Sequence, residues 1–145
     1  MSPNSLTKSK SKNELKKITK RPLAYVASPY GGDIEANVLK ARAYCAYVDS
    51  LGYIPIAPHL LFPQFIPEST RREDGLHMAY NLLHRCEYVF FFGNKFSEGM
   101  KAEYKKAVKT KPKENIFKIT DKEIKDLQII ENFHKEFPEK DSTKC

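Results

Sequence analysis

Short apolar runs alternate with stretches of helical periodicity along the chain. The first run is Leu23-Ala24-Tyr25-Val26-Ala27-Ser28. The second is Tyr53-Ile54-Pro55-Ile56-Ala57, where the proline favours a short or edge strand. The third, Tyr88-Val89-Phe90-Phe91-Phe92-Gly93, is aromatic and β-branched throughout and reads as a buried strand. Asn115-Ile116-Phe117-Lys118-Ile119 is a fourth by alternation. Between the runs, apolar residues recur at three- and four-residue spacing. Residues 34–51 place Val38, Ala41, Cys45, Val48 and Leu51 on one side, with Gly52 as the terminating glycine. Asp33 or Asn37 suits the start of that helix. Residues 71–85 carry Leu76, Ala79, Tyr80 and Leu83 inward. A third helix runs from the cap Ser97 to Lys109, with Met100, Tyr104, Ala107 and Val108 as its stripe. Asp121 caps a fourth over 122–134, whose apolar side takes Ile124, Leu127, Ile129 or Ile130, and Phe133. Residues 58–70 hold Pro58, Pro63 and Pro67 and read as a long loop over a site.

Strand-helix alternation of this kind predicts an α/β protein. The expected architecture is a three-layer α/β/α sandwich, Rossmann- or flavodoxin-like. Its parallel sheet has four strands, or five if the long loop or the C-terminal region supplies one. In such sheets ligands bind at the carboxyl ends of the strands. Three stretches fall there: Ser28-Pro29-Tyr30-Gly31-Gly32-Asp33, His59, and Asn94–Glu103.

Charge divides the chain. Residues 1–21 hold seven basic residues and one acid, a net +6, and almost no apolar anchors. The other 124 positions hold 18 basic and 17 acidic residues, a net +1. Residues 1–21 therefore read as a basic disordered tail, 22–136 as one folded domain, and 137–145 as a polar C-terminal tail. The near-neutral domain gives no argument for nucleic-acid binding, which would have to come from the tail. No run of about eighteen apolar residues is present, so no membrane span is expected. The absence of an apolar leader and the odd cysteine count (Cys45, Cys86, Cys145) point to the cytoplasm and free thiols. Neither GxGxxG nor GxxxxGK[ST] occurs, and the histidines and cysteines lack metal-ligand spacing, so no cofactor and no metal are expected.

The densest candidate chemistry is Ser97-Glu98-Gly99-Met100-Lys101-Ala102-Glu103. Gly99 lets a ligand approach the backbone, and the free N–H groups of a helix start suit an anion. Glu103 lies three residues after Met100 and four before Ala107, inside or beside the inward stripe. A carboxylate there is costly to bury without a partner. On spacing alone, a partly exposed Glu103 paired with Lys101 or Lys106 is the more common outcome.

At four places the sequence resembles the nucleoside 2-deoxyribosyltransferase-like superfamily, and most of all a branch of short proteins carried by phages and bacteria. These are Tyr25-Val26-Ala27-Ser28-Pro29-Tyr30, the stretch Gly52–His59, Leu82-Leu83-His84-Arg85-Cys86-Glu87, and Ser97–Glu103. The last is also similar to a motif of deoxynucleoside 5′-monophosphate N-glycosidases. The resemblance spans residues 23–119. It implies that Glu103 is a catalytic carboxylate attacking C1′ of a ribosyl or deoxyribosyl group. It implies that Ser97 and the backbone near Gly99 and Met100 hold a 5′-phosphate. It implies that Tyr25 and Ser28, Pro29, Tyr30, Gly31, Gly32 and Asp33 line the sugar and base pocket, and that the protein is a homo-oligomer. One departure stands out. The superfamily places an Asp on the helix before the third strand, where this chain has Met78-Ala79-Tyr80-Asn81. Asn81, His77, His59 and Tyr30 are the available substitutes for its proton-donating role.

The expected function is cleavage or transfer at the N-glycosidic bond of a nucleoside or nucleoside 5′-monophosphate. The competing expectation, favoured by Ala79, is a nucleotide-binding or sequestering protein without chemistry.

Overall fold

The structure, a computed structural model, describes residues 20–125 and 135–136. Residues 1–19, the greater part of the expected helix 122–134, and the C-terminal tail lie outside the described residues. So do the expected inward positions Leu127, Ile129, Ile130 and Phe133. Four strands form one parallel sheet: β1 (Leu23–Ala27), β2 (Ile54–Ile56), β3 (Tyr88–Phe92) and β4 (Ile116–Ile119). The spatial order is β2-β1-β3-β4. The helices are α1 (Ile34–Ser50), α2 (Pro58–Leu61), α3 (Glu68–Arg85), α4 (Glu98–Thr110) and α5 (Asp121–Lys125), with 3-10 turns at Phe62–Gln64 and Lys113–Asn115. The architecture is the expected α/β/α sandwich. Among the described residues there is no fifth strand.

Alternation along β1 and β3 makes the two cores. Ala24, Val26, Phe90 and Phe92 point to one face, where Tyr44 and Val48 of α1 and Ile124 of α5 cover them. Tyr25, Ala27, Val89 and Phe91 point to the other, against Leu83 and Cys86 at the end of α3 and Met100 and Ala107 of α4. Both central strands are covered on both faces, which is why their sequences run apolar without a break. The register pairs Tyr25 with Val89 and Ala27 with Phe91. Pro55 lacks an N–H and sits, as expected, on the edge strand.

The start of α1 is capped by Asp33, whose Oδ1 accepts from the Ala36 N–H at 3.2 Å. Asn37, the other candidate cap, instead donates to the Tyr30 and Gly31 carbonyls at 3.1 and 2.9 Å and ties the loop after β1 to the helix. Gly52, at φ 98°, ends the helix. Its N–H reaches the Asp49 carbonyl at 2.9 Å and that of Tyr53 reaches Val48 at 3.4 Å. Gly52→Ala is expected to cost about 1 kcal/mol, the strain of a β-carbon at positive φ, and a urea melt measures it.

Several expectations are corrected. The stretch 58–70 is not an irregular loop. Pro58 and Pro63 sit in the first turns of helical segments, where a missing N–H and a fixed φ favour helix. α3 starts at Glu68 rather than Arg71 and is interrupted at Arg71 (φ −132°, ψ 33°). Leu51 and Val108 are both 49% exposed. Leu51 is the C-cap, already past the last helical turn, and Val108 is turned about 100° from the buried Ala107. Asp121 is not the cap of its helix but its first residue. The Glu123 carboxylate reaches back to the Thr120 N–H at 2.5 Å, in the manner of a capping box. Arg21, assigned to the tail, is held at Asp49 by a 2.9 Å ion pair.

Candidate functional site

The strand order reverses direction beside β1: β2 lies on one side of it and β3 on the other. The connections leaving the carboxyl ends of β1 and β3 therefore part, and a crevice opens between them. A cavity of about 320 Å³ occupies that edge. The loop after β1 gives it Pro29, Tyr30 and Gly31, and α2 gives it Pro58 and His59. The start of α4 supplies Ser97, Glu98, Gly99, Met100 and Glu103. Its remaining wall is largely apolar: Phe62, Pro63 and Ile66, then Leu76, Ala79 and Tyr80 of α3.

Glu103 is the deepest acid of this wall, 8% exposed. It does not pair with Lys101 or Lys106. Lys101 bonds Glu98 at 3.0 Å, and the Lys106 ammonium lies 4.5 Å from the centre of the Tyr80 ring. Glu103 instead accepts a hydrogen bond from the Tyr25 hydroxyl, which rises from the middle of β1. The position follows from helix geometry: Met100, Glu103 and Ala107 are the buried residues of α4, one inward stripe. Burial pushes the Glu103 carboxyl up to about 7, although the Tyr25 hydrogen bond pulls the other way. Burial, and after it the neighbouring Glu103 charge, hold the Tyr25 phenol well above its ordinary value, so it stays a donor.

Ser97 caps α4 in extended geometry, its Oγ accepting from the Met100 N–H at 3.2 Å. The hydroxyl proton remains available to a ligand. The backbone N–H groups of Glu98 and Gly99, first in the helix, have no acceptor within it. Ser97→Ala is expected to cost about 1 kcal/mol through loss of the cap, read from the midpoint of a urea melt.

His59 stacks on Tyr30, with ring centres 4.8 Å apart and 23° between planes. Burial lowers its pKa, while a hydrogen bond to the Ser28 backbone opposes the shift. Ser28 itself is 1% exposed and its Oγ has no partner among the described residues. Gly32 takes φ 85° in the same loop, outside the cavity wall. Asp33 is used as the α1 cap. Asn81 is not at the cavity. It is exposed and its amide donates to the His77 carbonyl at 2.9 Å. His77 is exposed too. The shared cause is the phase of α3, in which Leu76, Ala79 and Tyr80 take the cavity side. Ala79 thus stands in the wall, without a carboxylate.

The two arginines of the cavity wall were not legible as site residues. Arg71 and Arg72 sit at the break in α3, and both line the cavity. In sequence they belong to Arg-Arg-Glu-Asp, which reads as a solvated helix start. Their ion pairs are local and exposed: Arg71 to Asp74 at 2.9 Å and Arg72 to Glu68 at 3.9 Å. Only the helix break would have given them away.

Residues 22–117, which carry all four strands up to Phe117 and the whole cavity wall, match the family described as Domain of unknown function (DUF7768). The chain belongs to the DUF7768 family. Comparison with the curated proteins returns no match. The DUF7768 match begins at Pro22, next to β1. Among the described residues no helix is long and apolar enough to cross a membrane, and no cluster of three or more His, Cys, Asp or Glu is placed to hold a metal ion.

Proposed function

We propose that the DUF7768 domain of this chain is an enzyme of the nucleoside 2-deoxyribosyltransferase-like kind. It cleaves or transfers at the N-glycosidic bond of a nucleoside or nucleoside 5′-monophosphate. The observation that carries the reading is the Glu103 carboxylate, buried in the cavity wall and bonded, among the described residues, by the Tyr25 phenol alone. A C–N glycosidic bond breaks through an oxocarbenium-like state, and a desolvated carboxylate can stabilise that cation or capture C1′ as an ester. The Tyr25 hydroxyl holds one oxygen of Glu103 and leaves the other for C1′. The free Glu98 and Gly99 N–H groups, the Ser97 hydroxyl and the Arg71 and Arg72 guanidiniums, all in the lining of one cavity, suit a 5′-phosphate. The apolar wall of Phe62, Ile66, Leu76 and Ala79 suits a base.

The test is incubation of the purified protein with nucleosides, nucleoside 5′-monophosphates and NAD, with and without a second base as acceptor, read by chromatography for free base. Release by the wild type that vanishes in Glu103→Gln supports the reading. Full activity in that variant overturns it.

A second reading is a nucleotide-binding or sequestering protein without turnover. Ala79 favours it, because it stands in the cavity wall on the stretch where the superfamily carries an Asp. Calorimetry showing tight nucleotide binding without base release would establish it. The first reading brings with it a homo-oligomer, a cytoplasmic location and no cofactor. A sedimentation equilibrium run checks the assembly.

A further inference from the structure

The near-zero charge of the folded part hides a sharp segregation. Residues 104–118 hold six lysines (Lys105, Lys106, Lys109, Lys111, Lys113 and Lys118) against Glu114 alone, a net +5. Positions 22–145 together carry +1, so those outside this stretch carry −4. Among the described residues, none of the six lysines is in an ion pair. Three of them gather in one groove of about 570 Å³ between α4 and the edge strand β4. Tyr104 and Val108, one turn apart on α4, and Lys111 at its C-cap form one side. Lys113 of the 3-10 turn, then Ile116 and Lys118, alternate residues of β4, form the other. Among the described residues no acid lines the groove, and it shares no residue with the candidate site.

The groove also offers apolar surface. Val108 is half exposed on its α4 side. The Lys118 ammonium lies 4.5 Å from the centre of the Tyr104 ring, so its nearest partner is a π face rather than a carboxylate. Clustered cations beside open apolar surface fit a polyanion that has an apolar side. An extended acidic peptide turns successive side chains to opposite faces, so only every second carboxylate reaches one groove. A duplex keeps its base faces stacked inside and brings nothing to the apolar surface. A single strand carries a phosphate at every residue and leaves its base faces free.

We propose that the α4–β4 groove binds single-stranded nucleic acid. The phosphates lie on Lys111, Lys113 and Lys118, and the bases lie against the apolar surface of Val108, Ile116 and the Tyr104 edge. Ammonium groups and apolar surface read no base edge, so the strand is held without sequence preference. The binding does not depend on any chemistry at Glu103. It also places nucleic-acid affinity in the folded domain, where the summed charge gave no reason to look, and not in the basic tail alone.

The experiment is fluorescence anisotropy on the full chain with labelled oligo-dT and oligo-U of about twenty residues, over a series of salt concentrations. The groove variant combines Lys113→Gln and Lys118→Gln, both at exposed positions. Lys111 is kept, because its ammonium donates to the Cys86 carbonyl and ties the end of α4 to the end of α3. Thermal melting checks the fold. A tail variant replaces Lys8, Lys10, Lys12, Lys16, Lys17 and Lys20 with Gln, and a third protein carries both sets. Each phosphate contact on a single strand adds about 0.7 to the slope of log affinity against log salt. The groove substitutions are expected to reduce that slope by about 1.4 and to weaken binding about twenty-five-fold at about 0.1 M salt. The same loss is expected whether the tail is charged or neutral. It supports the proposal with either strand, and the tighter strand names the sugar. An unchanged slope in the groove variant, or binding abolished by the tail variant alone, overturns it. So does unlabelled polyglutamate that displaces the strand at equal charge concentration, which would make the occupant an acidic protein segment.

Discussion

Glu103→Gln is expected to lower base release by about a thousandfold or more, while nucleotide binding, read by calorimetry, stays within a few fold of the wild type. The amide fills the same volume and still accepts from Tyr25, but it is a poor nucleophile. On the proposed reading, binding relies on groups the substitution leaves alone: the α4 start, the two arginines and the apolar wall. The same variant has a second readout, in stability. In the folded chain the Glu103 carboxyl titrates at about 7, against an ordinary value of 4.5. The folded state therefore holds this proton more tightly than the unfolded state does. The associated stability is fully present below pH 4.5 and is lost as the pH rises through about 7. The full difference is about 3 kcal/mol, since each pKa unit is worth about 1.4 kcal/mol. Glu103→Gln should therefore melt well above the wild type at pH 8 and almost with it at pH 4. Wild-type activity should move oppositely, rising with pH through about 7 as the carboxylate forms. Equal melting differences at the two pH values would mean that Glu103 is solvated and not the buried acid described.

Phe91→Ala should cost about 3–5 kcal/mol, most of the margin of an ordinary domain. The ring is fully buried in β3. It packs on Phe96, at 5.3 Å between ring centres, and edge-on against Tyr104 at the same separation. Those two contacts flank Ser97 and Glu103, so this core ring also seats the start of α4. Guanidinium unfolding measures the loss, and Phe91→Leu, which keeps much of the volume, should recover more than half of it. A cost under 1 kcal/mol for the alanine variant would show that the α4 face of the sheet is not packed as described.

The fold was legible because the two periods in the sequence are clean where burial is complete. Tyr88–Phe92 and Leu23–Ala27 run apolar because both their faces are covered. Legibility fell where one residue serves two ends. Pro58, Pro63 and Pro67 read as breakers, yet two of them open helical turns. The proline signal marks a boundary without saying which side of it is helix. The site was legible in its chemistry and less so in its directions. Ser97 and Glu103 follow from a cap and a stripe on one helix. Asn81 was a candidate by residue type and is excluded by helical phase. Arg71 and Arg72 come to the cavity through a break in α3 that no local propensity announces. The pairing of Tyr25 with Glu103 joins residues 78 apart, beyond any reading of spacing.

That pairing has a consequence for the chain as it is made. Tyr25 leaves the ribosome 78 residues before Glu103. At about 5–20 residues per second the delay is roughly 4–16 s. Until Tyr88–Phe92 has emerged, β1 can exist only as an unpartnered segment or beside β2, and throughout the delay the phenol has no Glu103 carboxylate to meet. The acid joins only once β3 has been inserted next to β1 and α4 has wound behind it. No nascent fragment ending before α4 holds both members of the pair. A ribosome-bound chain therefore lacks the buried phenol–carboxylate pair until α4 has been made and docked.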